Sequence, residues 1–383
     1  MQMSLEGVVE RFEVLVAEGM MRDRVPGLSL AVLVGGQVVY ARGFGARSFK
    51  DNLPATPHTL FGIGSCTKSF TALAIMQLVE QGKLDVHDPV KKHLSEFKIG
   101  KDDNPITIHH LMTHSSGIPD LGGADIEIVR LTGVDEKWVP LSSFDDLMLH
   151  VNSAKDEVAA EPGKRFFYLN EGYALLGMII ERVSGMKYED YVKAKILKPL
   201  KMNRSTFLKE EFEKDADVMT PYFVQTKEGT VVANPSVHPI DKLSYADGGL
   251  VTSVAELTNY LKANMNHGVF EGATLVDKSL LEEMHRPHVQ ANFSTLFGKM
   301  WYGYGWHMDD DFFGHKLVGH SGSTGVSSAN ISFIPSLNMG VALASNIGGA
   351  PSLSLIPPVL LAFLIGKDPL KEIPVFDFAE ITG

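Results

Sequence analysis

Cysteine is almost missing from this chain: Cys66 stands alone, so no disulfide forms within it and nothing points to an oxidising compartment. Long apolar runs are missing too. The most apolar stretch, Leu353 to Ile365, is shorter than the ~20 residues a membrane-spanning helix needs and is interrupted by Pro357 and Pro358, so it reads as a buried helix. Met1 to Glu10 has no uninterrupted apolar core, because Glu6 and Glu10 break it and Arg11 follows. No secretory leader is expected there; the location is read as cytoplasmic, with no membrane partner. Basic clusters are short and the net charge is -11, which excludes an extended phosphate-binding face and with it a nucleic-acid partner. The chain has no internal repeat and no low-complexity tract.

What is present is the material of a globular chain with a deep cleft: 44% of 383 residues are apolar. Val8, Val9, Phe12, Leu15 and Val16 recur at helical spacing between Leu5 and Met21. Leu28 to Val34 and Val38 to Ala41 are β-branched-rich runs around Gly35-Gly36, a two-residue turn suited to positive φ, and they predict a β-hairpin. After Pro54 and Pro57 the spacing predicts mainly helices until about residue 240, the stronger ones over 65–81, 106–113, 172–184 and 188–197. Beyond Gly248-Gly249 strands return over Gly305 to Met308, Lys316 to Gly319, Val326 to Ile334 and Gly340 to Ser345, with helices Val254 to Asn266 and Leu353 to Ile365 to cover them. The expected architecture is α/β of the α+β kind. A single catalytic domain spans 1–366, with an α/β lobe from about 1–55 and 248–366, a helical lobe over about 56–247, and a cleft where they meet. Residues 367–383 read as a C-terminal extension or linker stub, β-like over Ile373 to Phe378.

Three stretches carry chemistry. In Phe61-Gly62-Ile63-Gly64-Ser65-Cys66-Thr67-Lys68, glycines free the backbone before an apolar helix, Ser65 occupies its first turn, and Lys68 follows on the same face. An amine comes within reach of a hydroxyl, and the helix amino terminus favours a developing anion. The spacing alone is unspecific, since Ser95/Lys98 and Ser184/Lys187 share it; the Gly-rich entry and the buried Lys give it weight. Tyr168-Leu169-Asn170 enters another helix, offering a phenol as a proton carrier and an amide to bind both the lysine and a carbonyl. His320-Ser321-Gly322-Ser323 joins two strands, where a backbone amide can face the same oxyanion as that of Ser65. His109, His110 and His114 have no third ligand or adjacent acid, so no metal and no cofactor are expected. Cys66 reads as a small buried side chain. Tyr302, Tyr304 and Trp306 fit the cleft wall and the core equally.

Taken in order, these stretches resemble the serine β-lactamase and penicillin-binding-protein superfamily, in the branch of class C β-lactamases, D-stereospecific peptidases and β-lactamase-like esterases, for which Ser-x-x-Lys is a signature. The resemblance runs from about Val25 to Ile347 and includes Val25-Pro26-Gly27, Leu84 to Pro89, Leu111-Met112-Thr113-His114-Ser115-Ser116-Gly117, Ala246 to Ser253 and Tyr304-Gly305-Trp306. It implies a serine hydrolase that forms an acyl-enzyme at Ser65, with Lys68 and Tyr168 moving the proton and Asn170 orienting substrate. His320, Gly322 and Ser323 would join Asn170 in binding substrate, with the Ser65 and Ser323 amides as the oxyanion hole. His320 stands where the β-lactamase branch carries Lys, which counts against efficient β-lactam hydrolysis and toward a small amide or peptide substrate cleaved as by a D-aminopeptidase or carboxypeptidase. A carboxylesterase, a weak β-lactamase or a penicillin-binding sensor is the alternative, and a homo-oligomer is open.

Overall fold

The computed structural model describes residues 5–132, 141–227, 230–295 and 297–372. Nine strands form one antiparallel sheet: β1 Gly27–Val34, β2 Gln37–Ser48, β3 Leu53–Pro54, β4 Val289–Thr295, β5 Gly298–Tyr302, β6 His307–Phe312, β7 His315–Ser323, β8 Ser328–Ile334 and β9 Met339–Ser345. Their spatial order is β4-β5-β6-β7-β8-β9-β1-β2-β3. Strands from the two ends of the chain meet at the β9–β1 seam, where Leu28 pairs with Ser345 and Leu30 with Leu343. The β1–β2 turn is made by Gly35 and Gly36 at φ 58° and 72°, the positive values that such a tight connection requires.

The principal helices are α1 Leu5–Arg22, α2 Thr67–Glu80, α3 Gly123–Thr132, α4 Asn170–Ser184, α5 Val254–Met265 and α6 Pro351–Leu364. Strand β1 is apolar almost throughout because both faces of the sheet are covered. Leu28, Leu30 and Val32 point into a core made with Val8, Phe12 and Val16 of α1 and Leu353, Leu360 and Phe363 of α6. Ala31 and Leu33 point the other way, into the core that holds Leu257 and Leu261 of α5 and the apolar side chains of α2 from Phe70 to Leu78. At ~25 cal/mol per Å² of buried apolar surface, these two cores are the main favourable term in holding the sheet between its helix layers.

The structure departs from the sequence reading in four places. The sheet is wider, because β4 and β5 precede the first strand expected after residue 248 and the Gly305 region is a turn. A second hairpin, Tyr222–Lys227 with Thr230–Pro235, lies inside the stretch expected to be helical. The predicted helix over 106–113 shortens to Ile108–Met112, capped by Thr107, whose hydroxyl accepts from the His110 amide. Ser65 lies in a single 3-10 turn, Gly64–Cys66, and the α-helix begins at Thr67. The β-like run at Ile373 to Phe378 lies outside the described residues.

Candidate active site

The turn that carries Ser65 is clamped by backbone on both sides. The Ile63 amide donates to the Leu250 carbonyl at 3.0 Å, and the Ser327 hydroxyl donates to the Gly62 carbonyl at 2.8 Å. Strand β7 then passes so close that two glycines are obligatory. A Cβ on Gly64, which has φ 51°, would lie 2.5 Å from the Ser323 amide nitrogen, and one on Gly322 would lie 2.0 Å from the Ile63 carbonyl and 2.6 Å from the Ser65 nitrogen. The start of the Ser65 turn and the end of β7 are therefore in backbone contact, which is the purpose both Gly-rich stretches serve.

Lys68 is fully buried, and its Nζ has three hydrogen-bond partners: it pairs with Ser65 Oγ at 3.0 Å and donates to Asn170 Oδ1 at 2.8 Å and to the Asp247 carbonyl at 2.8 Å. The same nitrogen lies 4.9 Å from the centroid of the Tyr168 ring and 5.5 Å from that of Tyr173. The Ser65 hydroxyl, to which this amine is bonded, and the Tyr168 phenol thus line one cleft of 680 Å³, whose wall also includes His320, Gly322 and Ser323. Asn170 opens α4, and the chain before it is tied down by His114: the Phe167 amide donates to the His114 carbonyl at 2.7 Å and the Leu169 amide to His114 Nδ1 at 3.0 Å. Burial drives His114 well below the ordinary histidine pKa, and an Nδ1 that accepts a hydrogen bond fixes the neutral tautomer. Its ring lies 4.2 Å from that of Tyr168.

His114 holds a role that its letter does not announce: it faces the Tyr168 loop, while His109 Nδ1 pairs with the Tyr304 hydroxyl at 2.8 Å and His110 Nδ1 accepts from the Thr107 amide. Among the described residues no group of three or more ligands is arranged to hold a metal ion. Its neighbours in the Leu111 to Gly117 stretch gave the signal that it belongs to the site.

His320 also differs from a simple substrate contact. Its Nδ1 lies 2.5 Å from the Ser321 carbonyl, which only accepts, so the proton sits on Nδ1 and Nε2 accepts from the Tyr302 hydroxyl at 3.0 Å. Burial, with the His307 ring tilted against it at 4.5 Å and Lys68 nearby, pushes His320 well below its usual range, leaving it neutral. No positive charge stands there to hold a carboxylate. Tyr302, Tyr304 and Trp306 are all core residues, the first two with their hydroxyls spent on His320 and His109. Cys66 is buried, its Sγ donates to the His320 carbonyl at 3.1 Å, and burial pushes its thiol up to about 12, so it is inert.

Residues 12–361 match the family described as Beta-lactamase. The chain belongs to the beta-lactamase family. It is 45% identical to an octameric penicillin-binding protein homologue from Pyrococcus abyssi, with a TM-score of 0.88 over 96% of this chain and 79% of that one. A penicillin-binding protein from Bacillus halodurans is 28% identical, with a TM-score of 0.71 over 89% and 97%. Protein flp of Staphylococcus aureus (strain MW2) is 29% identical over 343 residues, 88% of this chain and 63% of that protein, so the chain spans less than two thirds of this curated relative. The beta-lactamase family fold is the one described above, a large antiparallel sheet with helices on both faces.

Proposed function

We propose that the protein hydrolyses a small amide or peptide through an acyl-enzyme at Ser65, without metal or cofactor. The observation that carries this reading is the contact of a fully buried amine with a partly exposed hydroxyl, Lys68 Nζ to Ser65 Oγ at 3.0 Å. Burying a lysine costs several kcal/mol, and here the buried amine bonds to a serine that lines the cleft together with the Tyr168 phenol. In the reaction Ser65 Oγ adds to the substrate carbonyl and its proton passes to the Lys68–Tyr168 pair. The same proton goes to the leaving nitrogen as the C–N bond breaks, and water then releases the acyl group. Asn170 orients lysine and substrate, and the amides of Ser65 and Ser323, brought together by Gly64 and Gly322, receive the oxyanion, a contact worth ~2.7–4 kcal/mol per donor.

The charge of the cleft supports a substrate without a carboxylate. Asp125 and Asp247 are the charged side chains in its described wall, no Lys or Arg reaches it, and both His307 and His320 are held neutral. That wall fits an aminoacyl amide, as an aminopeptidase would take, better than a β-lactam or a peptide carboxyl terminus. A panel of D- and L-aminoacyl nitroanilides, nitrophenyl esters and a chromogenic cephalosporin tests the reading. Turnover of the anilides supports it, and an ester-only profile overturns the amide preference. A stoichiometric burst on the cephalosporin without turnover assigns a sensor role instead. The lone buried Cys66 supports a cytoplasmic location, and no described helix is long and apolar enough to cross a membrane. Self-association is part of the proposal by likeness to the octameric Pyrococcus abyssi protein, and sedimentation velocity tests it.

A further inference from the structure

A lysine that becomes a buried cation needs a counter-charge, and among the described residues no carboxylate oxygen bonds to Lys68. Its three hydrogen bonds end on a hydroxyl, a side-chain amide and a peptide carbonyl, all of them neutral. The residue that owns the carbonyl also owns a carboxyl. Asp247 is 6% exposed, its Oδ1 is buried without a hydrogen-bond partner, and it lies in the cleft wall with Ser65 and Asn170. The groups that face it are few. Lys68 comes from α2, Glu171 from the first turn of α4, and Tyr188 from the short helix Tyr188–Val192, the last neutral because burial raises it above its ordinary value. The Glu171 carboxyl is turned to the Gly123 amide, to which its Oε1 is bonded at 2.8 Å, and burial raises it toward its neutral form. Asp247 is thus the acid available to Lys68.

We propose that Asp247 is a positioning residue for the acyl-transfer reaction, its buried carboxyl serving as the charge partner that sets how readily Lys68 takes and gives up a proton. The proposal rests on the reading of Ser65 and Lys68 given above. When Lys68 receives the Ser65 proton it becomes a buried ammonium, and an ionised Asp247 lowers the energy of that state. A neutral Asp247 does not. Burial raises the Asp247 carboxyl to about 7 against the pull of Lys68, so its charge changes in the range where such an enzyme works. Because the two groups are coupled, their protons come off as a pair.

Asp247→Asn keeps shape and removes the charge. Without the carboxylate Lys68 loses its proton at lower pH, so the acid limb of kcat/KM on a nitrophenyl ester moves down by ~1 pH unit or more, and kcat on the plateau falls because the base is weaker. A carboxyl with only a structural role would lower activity or melting temperature at every pH and leave the limb in place. Asp247→Glu restores the limb toward its original position. Stoichiometric labelling of Ser65 by a fluorophosphonate in the unchanged protein separates the two layers of the argument. Absence of labelling overturns the acyl-enzyme reading and this proposal together, whereas intact labelling with an acid limb that does not move in Asp247→Asn overturns the proposal alone. If Asp247→Asn does not fold, infrared titration of the buried carboxyl decides instead. The proposal expects its midpoint to rise in Lys68→Met, and an unchanged midpoint refutes it.

Discussion

Replacing Lys68 by Met tests whether the buried amine is held for chemistry or for the fold. Methionine fills nearly the same volume but leaves two buried acceptors, Asn170 Oδ1 and the Asp247 carbonyl, without their donor. Each orphaned acceptor costs ~1–3 kcal/mol. Against that stands the desolvation of the ammonium, an effective several kcal/mol that the variant no longer bears. The two nearly cancel, so stability changes by no more than about 2 kcal/mol in either direction, and the melting temperature moves by no more than ~8 °C at ~2–4 °C per kcal/mol. Catalysis has no such compensation. The proton path from Ser65 is lost, and kcat/KM falls by at least ~10³-fold, the range of a general base acting with its nucleophile. Thermal melting and ester hydrolysis on the same preparations read both quantities. Activity within tenfold of the unchanged protein would refute the reasoning, and a fold weakened by more than ~4 kcal/mol would show that the amine is held for its buried hydrogen bonds.

Gly322→Ala forces a Cβ against the Ile63 carbonyl and the Ser65 nitrogen, so β7 must back away; kcat should drop by more than ~100-fold, as loss of an oxyanion donor does, with KM less affected, and near-normal kcat would remove the amides from the mechanism. His114→Phe keeps the ring against Tyr168 but leaves the Leu169 amide unpaired, costing ~1–3 kcal/mol in urea unfolding and slowing turnover through the displaced Tyr168 and Asn170; unchanged stability would refute the tether. Acid should weaken the fold: burial holds His238 and His307 down at about 4 and His285 at about 3, so the stability they support is whole above pH 6.5 and drains as pH falls toward those values, by ~1.4 kcal/mol per unit for each group. Asp247, raised to about 7, runs the other way, losing its contribution as pH climbs from about 4 to 7, and offsets one histidine; urea midpoints equal at pH 7.5 and 5.5 would contradict the scheme.

What could be read from the letters follows a physical line. The Gly35-Gly36 hairpin, the buried helix after Ser65 and the apolar α6 are fixed by local patterns, because each depends on a turn geometry or on burial of a continuous face. The hairpin β4–β5 was illegible for the opposite reason: at the sheet edge, Gln290, Ser294 and Lys299 need no burial, so the strands carry little apolar signature. In the site, Ser65, Lys68, Tyr168 and Asn170 were visible because glycine turns and helix starts surround them. The meaning of His114, His320 and Asp247 was not, since each depends on what lies across the fold. His320 lines the cleft as a neutral partner of Tyr302, and His114 anchors the Tyr168 loop through its Nδ1. Asp247 gave no signal beyond standing before Gly248-Gly249, yet its carbonyl and its carboxyl both bear on the one buried amine. A short motif announces where a nucleophile is; the groups that hold its lysine come from residues about a hundred and about a hundred and eighty positions away, which only the packed chain brings near.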